Sequence, residues 1–408
     1  MDTFNDFDCL LIREYFPSKT NPRSSTWIFD QALYISQHGF KPLVVSPTPY
    51  VPKILKKIFP YKYQWQTTAS NEIENYCGIK VLRLKYIKLP QKYFTHYNIK
   101  TISKILIKYC KQYKIYFIHA HFGQAGIASI PLKRKLSVPL ITSFYGFDLG
   151  SNLSKLKKGY ISLAKEGHLF LALSEDMKKD LVKLSFPRDK IIIHHLGVDV
   201  DKYCPGYFGK NNILGKCTFL IVARFEERKG IHFAIDAFQT VSSFFCNSNI
   251  TLRIVGDGPF KNEIIKHIGD NKQIILFNNF ITNDPEAVVI NEMQNCDVFV
   301  LTSQTMPDGD KEGTPIVLME AQACGKPCIS TYHAGIPEVV INNETGILVK
   351  EKDINAIFKA MLFFIQNTDR RIEMGQKARE HIINEFNLRC QMVKLINIYN
   401  RYLLINKI

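Results

Sequence analysis

The 408-residue sequence contains no uncharged apolar run of about 18 residues, so it offers no segment that would span a bilayer as a helix. Its amino end is acidic, where a secretion signal would be basic. Its ten cysteines include no Cys-x-x-Cys pair, and the dinucleotide fingerprint Gly-x-Gly-x-x-Gly is also missing. These absences disfavour membrane-spanning and secreted proteins, zinc or disulfide frameworks and a classical dinucleotide site. They indicate a cytoplasmic protein whose cysteines are core residues.

Positive charge is distributed unevenly along the chain. The formal net charge is +16, and residues 50–116 alone hold 14 Lys and Arg residues against two glutamates. Aromatic residues are interleaved with them, among them Tyr61, Tyr63, Trp65, Tyr86, Tyr93, Phe94 and Tyr97. Such a segment suits an anionic membrane surface or nucleic acid, or is a solvated basic face.

The most informative stretch is a strand–loop–helix–strand unit in the second half. Val298–Leu301 is an apolar run of strand type, and Thr314 would cap a helix that has Pro315 at its first position. Gly325 ends this helix, and Cys328–Thr331 supplies the next strand. The unit predicts a parallel α/β sheet, in which ligands bind at the carboxyl ends of strands.

Two carboxylates, Glu312 and Glu320, stand eight residues apart around the start of this helix. At the helical rise, Glu320 lies about 9 Å along the axis from Thr314. The backbone N–H groups of Ile316 and Val317 can hold a phosphate there. A helix start that binds a diphosphate, a carboxylate that binds the ribose diol and a second carboxylate outside the helix would together suit a nucleotide diphosphate-sugar. The alternative is a capped amphipathic helix with two solvated glutamates, and the spacing alone favours neither.

The motif around these carboxylates resembles that of a known enzyme family. Glu-Gly-x-Pro-x-x-x-x-Glu-Ala, followed by Gly-x-Pro and by His-Ala-Gly-Ile-Pro-Glu at residues 333–338, is similar to the signature of the retaining glycosyltransferases of family 4. The nearest type is that of the colanic-acid-type glycosyltransferases of exopolysaccharide and lipopolysaccharide synthesis. They commonly carry an Asp-Gly-Asp before the first glutamate, as at residues 308–310. The resemblance implies the α/β GT-B fold, in which two Rossmann-like domains face a central cleft.

The resemblance also implies a domain organisation. We expect an amino-terminal acceptor-binding domain over residues 1–202, a linker over 203–215 and a nucleotide-sugar-binding domain over 216–385. The final helix, residues 386–408, would cross back onto the amino-terminal domain. The opening strand–loop–helix–strand pattern of the chain fits a Rossmann-like domain.

The donor side of the predicted cleft follows from the carboxy-terminal domain. Arg224 and Lys229 lie in the loop after a strand, where two cations would neutralise the charge that builds on a departing diphosphate. They could instead be two surface cations. The resemblance places Glu312 against the donor sugar. The predicted donor-binding residues are Glu320, Gly313, Thr314, Pro315, Ile316, Val317, Gly256 and Glu338.

The acceptor side follows from two strand ends in the amino-terminal domain. Tyr145 stands where many family members have a histidine near the reacting sugar, so His121 is the nearest imidazole and is expected in the cleft. Asp148 is either an acceptor-side contact or a strand-end cap. Ser24 and Ser25 replace the glycines that relatives usually carry in the first loop.

No metal or other cofactor is expected. Asp308 and Asp310 imitate an Asp-x-Asp metal site, and two carboxylates on a Gly-containing loop could bind Mg²⁺. However, Arg224, Lys229 and the helix start already supply the positive charge that a diphosphate needs.

The implied function is transfer of a sugar from a nucleotide diphosphate-sugar to a glycan or lipid-linked glycan, with retention of configuration, in surface polysaccharide synthesis. The implied location is cytoplasmic, peripheral on the inner face of the cell membrane, with the basic segment on the anionic surface and no nucleic-acid partner. Two alternatives remain: a sugar-nucleotide 2-epimerase of the same fold, which needs no acceptor, and a catalytically silent membrane-associated assembly partner.

Overall fold

The computed structural model describes residues 6–19, 21–22, 25–50, 70–150, 153–206, 216–245, 250–277 and 284–407. Helices and strands are numbered in chain order within these ranges. Ser24, residues 51–69 of the basic segment and residues 207–215 of the predicted linker lie outside them.

Alternating strands and helices build the amino-terminal domain. Its strands are β1 (Cys9–Ile12), β2 (Pro42–Pro49), β3 (Ile73–Tyr76), β4 (Ile79–Tyr86), β5 (Phe117–His121), β6 (Leu140–Ser143), β7 (Leu169–Ala172) and β8 (Ile191–Ile193). Its helices are α1 (Thr26–Gln37), α2 (Gln91–Cys110), α3 (Gly123–Leu136), α4 (Leu153–Glu166) and α5 (Glu175–Lys183).

These eight strands form one sheet in the order β3-β4-β2-β1-β5-β6-β7-β8, parallel except for the β3–β4 hairpin. Every residue of β1 and β5 is buried, because apolar clusters cover both faces of the sheet. The carboxyl ends of β1, β5 and β6 therefore deliver Arg13, His121 and Tyr145 to one edge of the sheet.

The carboxy-terminal domain is also built from alternating strands and helices. Its strands are β9 (Cys217–Val222), β10 (Ile250–Val255), β11 (Ile274–Phe277), β12 (Val298–Leu301), β13 (Cys328–Thr331) and β14 (Gly346–Val349). Its helices are α6 (Ile231–Phe244), α7 (Lys261–Ile268), α8 (Pro285–Asn295), α9 (Ile316–Ala323), α10 (Ile336–Val339), α11 (Ile354–Gln366) and α12 (Thr368–Glu385). The sheet is parallel in the order β11-β10-β9-β12-β13-β14.

The last helix, α13 (Leu388–Lys407), lies against the amino-terminal sheet. Its start is pinned by Leu388, whose N–H donates to the carbonyl of Val198 at 2.9 Å. Further along, the Tyr399 ring packs 4.7 Å from that of Phe117, and Gln31 Nε2 donates to its hydroxyl at 3.0 Å. The helix therefore ties the carboxy-terminal end of the chain to the first domain.

The loops at the carboxyl ends of the two sheets meet each other. Gly146 and Gly313 touch so closely that a Cβ atom on Gly146 would lie 2.6 Å from the Gly313 nitrogen. Lys311 Nζ lies 2.5 Å from carboxylate oxygens of both Asp176 and Asp180 of the other domain. The two parallel sheets thus face a shared cleft.

Candidate active site

A cavity of about 490 Å³ lies between the domains at the start of α9. The carboxy-terminal domain lines it with Arg224, Glu226, Arg228, Lys229, Glu312 and residues 313–317. Trp27, Phe122 and Tyr145 are among the residues that line it from the amino-terminal domain. The structure therefore brings most of the predicted donor residues together, with Tyr145 facing them.

An ion pair between Glu312 and Lys229 lies in this cavity. Lys229 Nζ is 2.6 Å from Glu312 Oε1, and Arg228 Nη1 is 4.0 Å from the same oxygen. Burial alone would raise the pKa of Glu312, but the charges of Lys229 and Arg228 outweigh it and lower that pKa. Glu312 is therefore a carboxylate at neutral pH.

Arg224 and Arg228 complete the positive side of the cavity. The Arg224 side chain is 70% exposed, and its Nη1 lies 3.2 Å from Glu226 Oε1. Arg228 Nη2 lies 2.9 Å from Glu226 Oε2. Sequence reasoning missed Arg228, although its place beside Lys229 in a strand-end loop was a usable signal.

In the loop that contains Asp308 and Asp310, the Asp310 carboxylate lies near the guanidinium of Arg228. Asp310 Oδ2 lies 3.9 Å from Arg228 Nε, and the Asp310 N–H donates to Asp308 Oδ1 at 3.1 Å. Across the described ranges, no group of three or more His, Cys, Asp or Glu side chains is placed to hold a metal ion. Asp310 is therefore paired with a cationic side chain of the protein, that of Arg228.

The predicted cap of the central helix is wrong by one residue. Pro315, not Thr314, occupies the N-cap of α9, and Thr314 Oγ1 donates to the Leu173 carbonyl of the other domain at 3.2 Å. The backbone of Pro315 is extended, with φ −66° and ψ 113°, so the helix begins one residue later than predicted and the Thr314 hydroxyl contacts the other domain. No described side chain caps α9, and Ile316 and Val317 at its start line the cavity.

Glu320 lies in a neighbouring cavity of about 340 Å³ that shares Ile316 with the first. Asp30 of α1 and Tyr203 also line this second cavity. Burial raises the pKa of Glu320 to about 7, while the hydrogen bond from Tyr203 acts in the opposite direction. The two motif glutamates thus line two separate cavities that meet at Ile316, the first residue of α9.

Two predicted donor residues line neither of these cavities. Glu338 Oε1 accepts the Glu175 N–H at the start of α5 at 2.8 Å, so it bridges the domains. Gly256 packs against Ala223, whose carbonyl oxygen would lie 1.9 Å from a Cβ atom at that position. Close backbone packing between β9 and β10 therefore explains this glycine without a ligand.

The amino-terminal wall is organised around Tyr145. Its hydroxyl lies 2.8 Å from Nδ1 of the buried His121, and its ring stacks 4.4 Å from Phe122. Burial lowers the pKa of His121 well below its ordinary value, so the imidazole is neutral. The Asp148 carboxylate accepts the N–H groups of Gly123 and Tyr145, both at 2.9 Å. These two bonds are those of the predicted strand-end cap, and Asp148 also lines the cavity behind Phe122, so the acceptor-side role stays a prediction.

A third cavity, of about 530 Å³, opens behind Phe122 and is lined by Arg13, Glu14, Lys88, His121, Gln124 and Arg224, among others. It shares Phe122, Phe147 and Arg224 with the first cavity. The Arg13 guanidinium lies 3.9 Å over the Phe122 ring, and its Nε donates to Ser25 Oγ at 3.0 Å. Sequence reasoning missed Arg13.

An apolar patch covers the start of α2. Ile87, Tyr93, Phe94 and Tyr97 are 61%, 73%, 43% and 50% exposed. Lys100 follows on the same helix and is exposed. Within the described residues, none of the helices combines the length and hydropathy needed to cross a bilayer.

Comparisons with known proteins agree with this architecture. Residues 25–202 match the family described as Glycosyltransferase Family 4, and residues 207–381 match the family Glycosyl transferases group 1. WcaL of Salmonella typhimurium, named for colanic acid biosynthesis, is 32% identical over 312 residues, which cover 72% of this chain and 73% of that protein. The amylovoran biosynthesis glycosyltransferase AmsK of Erwinia amylovora is 29% identical over 287 residues, 69% of each chain.

Solved structures share the fold. A glycosyltransferase from Rickettsia africae superposes with a TM-score of 0.70 at 20% identity, covering 98% of this chain and 99% of that one. HepE of Anabaena, solved with UDP and glucose, gives a TM-score of 0.70 at 16% identity, covering 97% of this chain and 100% of that one. The predicted fold class, two Rossmann-like domains in the GT-B arrangement, is confirmed.

Proposed function

The chain belongs to glycosyltransferase family 4 and has the GT-B fold, and on that premise we propose that it transfers a hexose from a nucleotide diphosphate-sugar to a glycan or lipid-linked glycan, with retention of configuration. The observation that carries the proposal is the Glu312–Lys229 pair in the cavity at the start of α9. Relatives named for colanic acid and amylovoran biosynthesis support a role in exopolysaccharide synthesis.

The distribution of charge supports a nucleotide diphosphate-sugar as donor. Arg224, Arg228 and Lys229 line one wall, and the uncapped start of α9 adds N–H groups and the positive end of a helix dipole. Together they would stabilise the negative charge on a departing diphosphate. Glu320, one turn away, would accept hydrogen bonds from the ribose hydroxyls. On this account the diphosphate needs no metal ion.

The opposite wall supports retention. The residues that line the first cavity from the amino-terminal domain, such as Trp27, Phe122 and Tyr145, include no carboxylate among those described. In the cavity behind, Glu14 is already held by the Tyr86 hydroxyl at 2.7 Å and by Lys88 at 2.5 Å. Asp148 there accepts the N–H groups of Gly123 and Tyr145, and His121 Nδ1 contacts the Tyr145 hydroxyl. An inverting transferase needs a base for the acceptor hydroxyl. With no carboxylate on this wall of the first cavity to serve, a departing phosphate oxygen would take that proton, on the face from which the donor sugar leaves.

The patch on α2 supports a peripheral position at the inner face of the membrane. Tyr93 and Tyr97 have the amphipathic side chains that suit the headgroup layer, Phe94 adds an exposed apolar ring, and Lys100 would face anionic lipid. Such an enzyme would meet a lipid-linked acceptor at the surface in which that acceptor is embedded.

The proposal is tested with a panel of uridine, guanosine, thymidine and adenosine diphosphate hexoses. We expect release of one nucleoside diphosphate that increases with an extract of lipid-linked glycans. NMR of the product should show the anomeric configuration of the donor. An epimerised nucleotide-sugar formed without any acceptor would instead indicate a 2-epimerase.

A further inference from the structure

The orientation of Glu312 depends on a buried histidine. Glu312 lies in the loop that follows β12, outside any helix or strand, so regular secondary structure does not fix its backbone. Its N–H donates to Nε2 of His333 at 3.0 Å. His333 lies in the loop after β13, and its side chain is 0% exposed. This hydrogen bond links the loops of two neighbouring strands.

The partners of His333 determine which tautomer it adopts. A backbone N–H can only donate, so Nε2 must be the unprotonated nitrogen. The proton is then on Nδ1, which lies 2.6 Å from Glu351 Oε1 and donates to it. In a doubly protonated imidazole, the N–H at Nε2 would point at the N–H of Glu312, and neither group could accept the other's hydrogen. The structure therefore requires the neutral Nδ1–H tautomer.

Glu351 is itself held in place. Thr305, after β12, donates its N–H to Glu351 Oε2 at 2.9 Å and its hydroxyl to Oε1 at 3.0 Å. Burial alone would raise the pKa of Glu351, but these bonds and the one from His333 lower it. The connection therefore runs along the ends of three adjacent strands, β12, β14 and β13, before it reaches Glu312.

We propose that His333, held as the Nδ1–H tautomer by Glu351, is a positioning residue that aims the Glu312 carboxylate at the donor sugar. This inference rests on the proposed role of Glu312 in transfer. His333 lines none of the three cavities described above, so it acts through the backbone of Glu312 rather than on substrate. Lys229 holds the other end of the same residue, at its carboxylate.

Substitutions at His333 separate hydrogen bonding from packing. His333→Phe keeps a ring but removes the acceptor, so kcat for nucleoside diphosphate release should fall about 100-fold, the loss expected for a misplaced catalytic group. The KM for the donor and the affinity for the bare nucleoside diphosphate should not change, because the phosphate-binding residues stay in place. His333→Gln places an amide oxygen near the position of Nε2 and should restore most of the activity.

The matched control is His168→Phe. His168 Nδ1 also accepts a backbone N–H, that of Leu140 at 3.2 Å, but in the amino-terminal domain away from the cleft. Its loss should leave kcat unchanged. Equal kcat values for wild type and His333→Phe, or equal losses for His333→Phe and His333→Gln, would overturn the positioning role.

The tautomer of His333 can also be measured by NMR, without an activity assay. In ¹⁵N-labelled wild type, the imidazole spectrum should show His333 with Nδ1 protonated and Nε2 bare, assigned by the signal missing from His333→Gln. Glu351→Gln should disturb this tautomer and lower kcat, and this arm decides the matter if His333→Phe does not fold. An Nε2–H tautomer in the wild type would overturn the inference. A wild type that turned over no donor, with the predicted tautomer present, would contradict the proposed function instead.

Discussion

Glu312 and Lys229 come from the loops after two neighbouring strands, β12 and β9, and their side chains meet with Nζ 2.6 Å from Oε1. Lys229 in this position keeps the Glu312 carboxylate ionised. It would also be able to give up part of its contact with Glu312 and bind a diphosphate. The cleft is thus charged and organised before any donor binds, which is the preorganisation that electrostatic catalysis requires.

Substitutions of the two motif glutamates should have different effects on nucleotide binding and on turnover. Hydrogen bonds to a charged group contribute about 1.5–3 kcal/mol, so Glu320→Ala should weaken binding of the bare nucleoside diphosphate by roughly 10- to 100-fold. Glu312→Ala should leave that affinity unchanged and lower turnover. Calorimetry with the bare nucleotide and initial rates with the donor separate the two effects. Glu373→Ala, an exposed glutamate on α12, is the control. Equal losses of nucleotide affinity in both cleft variants would refute the division of roles.

Donor affinity should depend on pH through Glu320. Because its pKa is raised to about 7, raising the pH from about 6 to 8 ionises the carboxylate and should strengthen binding of a nucleotide-sugar. Asp30, whose pKa burial raises to about 6, lines the same cavity. The ratio of wild-type to Glu320→Gln affinity therefore isolates the effect of Glu320. A ratio that is constant with pH would exclude Glu320 from ribose binding.

The same shift has a consequence for stability. The folded carboxyl of Glu320 keeps its proton up to about pH 7, whereas the unfolded one loses it near its ordinary pKa of 4.5. Between these values the unfolded state binds fewer protons, so the contribution of Glu320 to the free energy of unfolding falls as pH rises. The Tm of wild type relative to Glu320→Gln should fall across this window. A difference that does not change with pH would contradict the shift.

Transfer should not require a metal ion. If Arg224, Arg228, Lys229 and the start of α9 neutralise the diphosphate, excess EDTA should leave the rate of donor turnover unchanged. The Asp308→Asn/Asp310→Asn double variant should bind the donor normally. Complete loss of activity in EDTA, restored by Mg²⁺ or Mn²⁺, would assign that role to the two aspartates.

Membrane binding should depend on the aromatic patch of α2. Replacing Tyr93 and Tyr97 with Ser should reduce co-sedimentation with vesicles that contain anionic lipid, and high salt should reduce wild-type binding because charge attraction is screened. Phe244→Ser is the matched control, since Phe244 is an equally exposed aromatic, at 70%, on the other domain. Wild-type binding that is equal on neutral and anionic vesicles would argue against the proposed surface.

The parts of the site that sequence reasoning found are those that local rules can reach. Arg224, Lys229 and Glu312 each follow an apolar strand, and the carboxyl ends of parallel strands share one edge of a sheet. Their position at strand ends therefore followed from the apolar runs, whereas their assignment to one donor site came from the family resemblance. The apolar runs of β9 and β12 were sufficient to predict the strands, because both faces of a parallel sheet are buried.

What the sequence did not reveal depends on contacts between distant segments. His333 meets Glu351 and the Glu312 backbone only through the order of the strands. Thr314 does not have its predicted capping role, because α9 begins after Pro315, and its hydroxyl instead donates to the carbonyl of Leu173 in the other domain. Arg13 and Phe122 form their contact across β1 and β5, and no local pattern marks that pair.

The role of the Glu312–Lys229 pair in sugar transfer is tested by the rate of nucleoside diphosphate release in wild type and Glu312→Gln. The rate is measured over the donor panel, with and without lipid-linked glycan. We expect release from one donor, stimulated by acceptor, that falls about 10²- to 10³-fold in Glu312→Gln while nucleotide affinity is kept. Release by Glu312→Gln at the wild-type rate would contradict it.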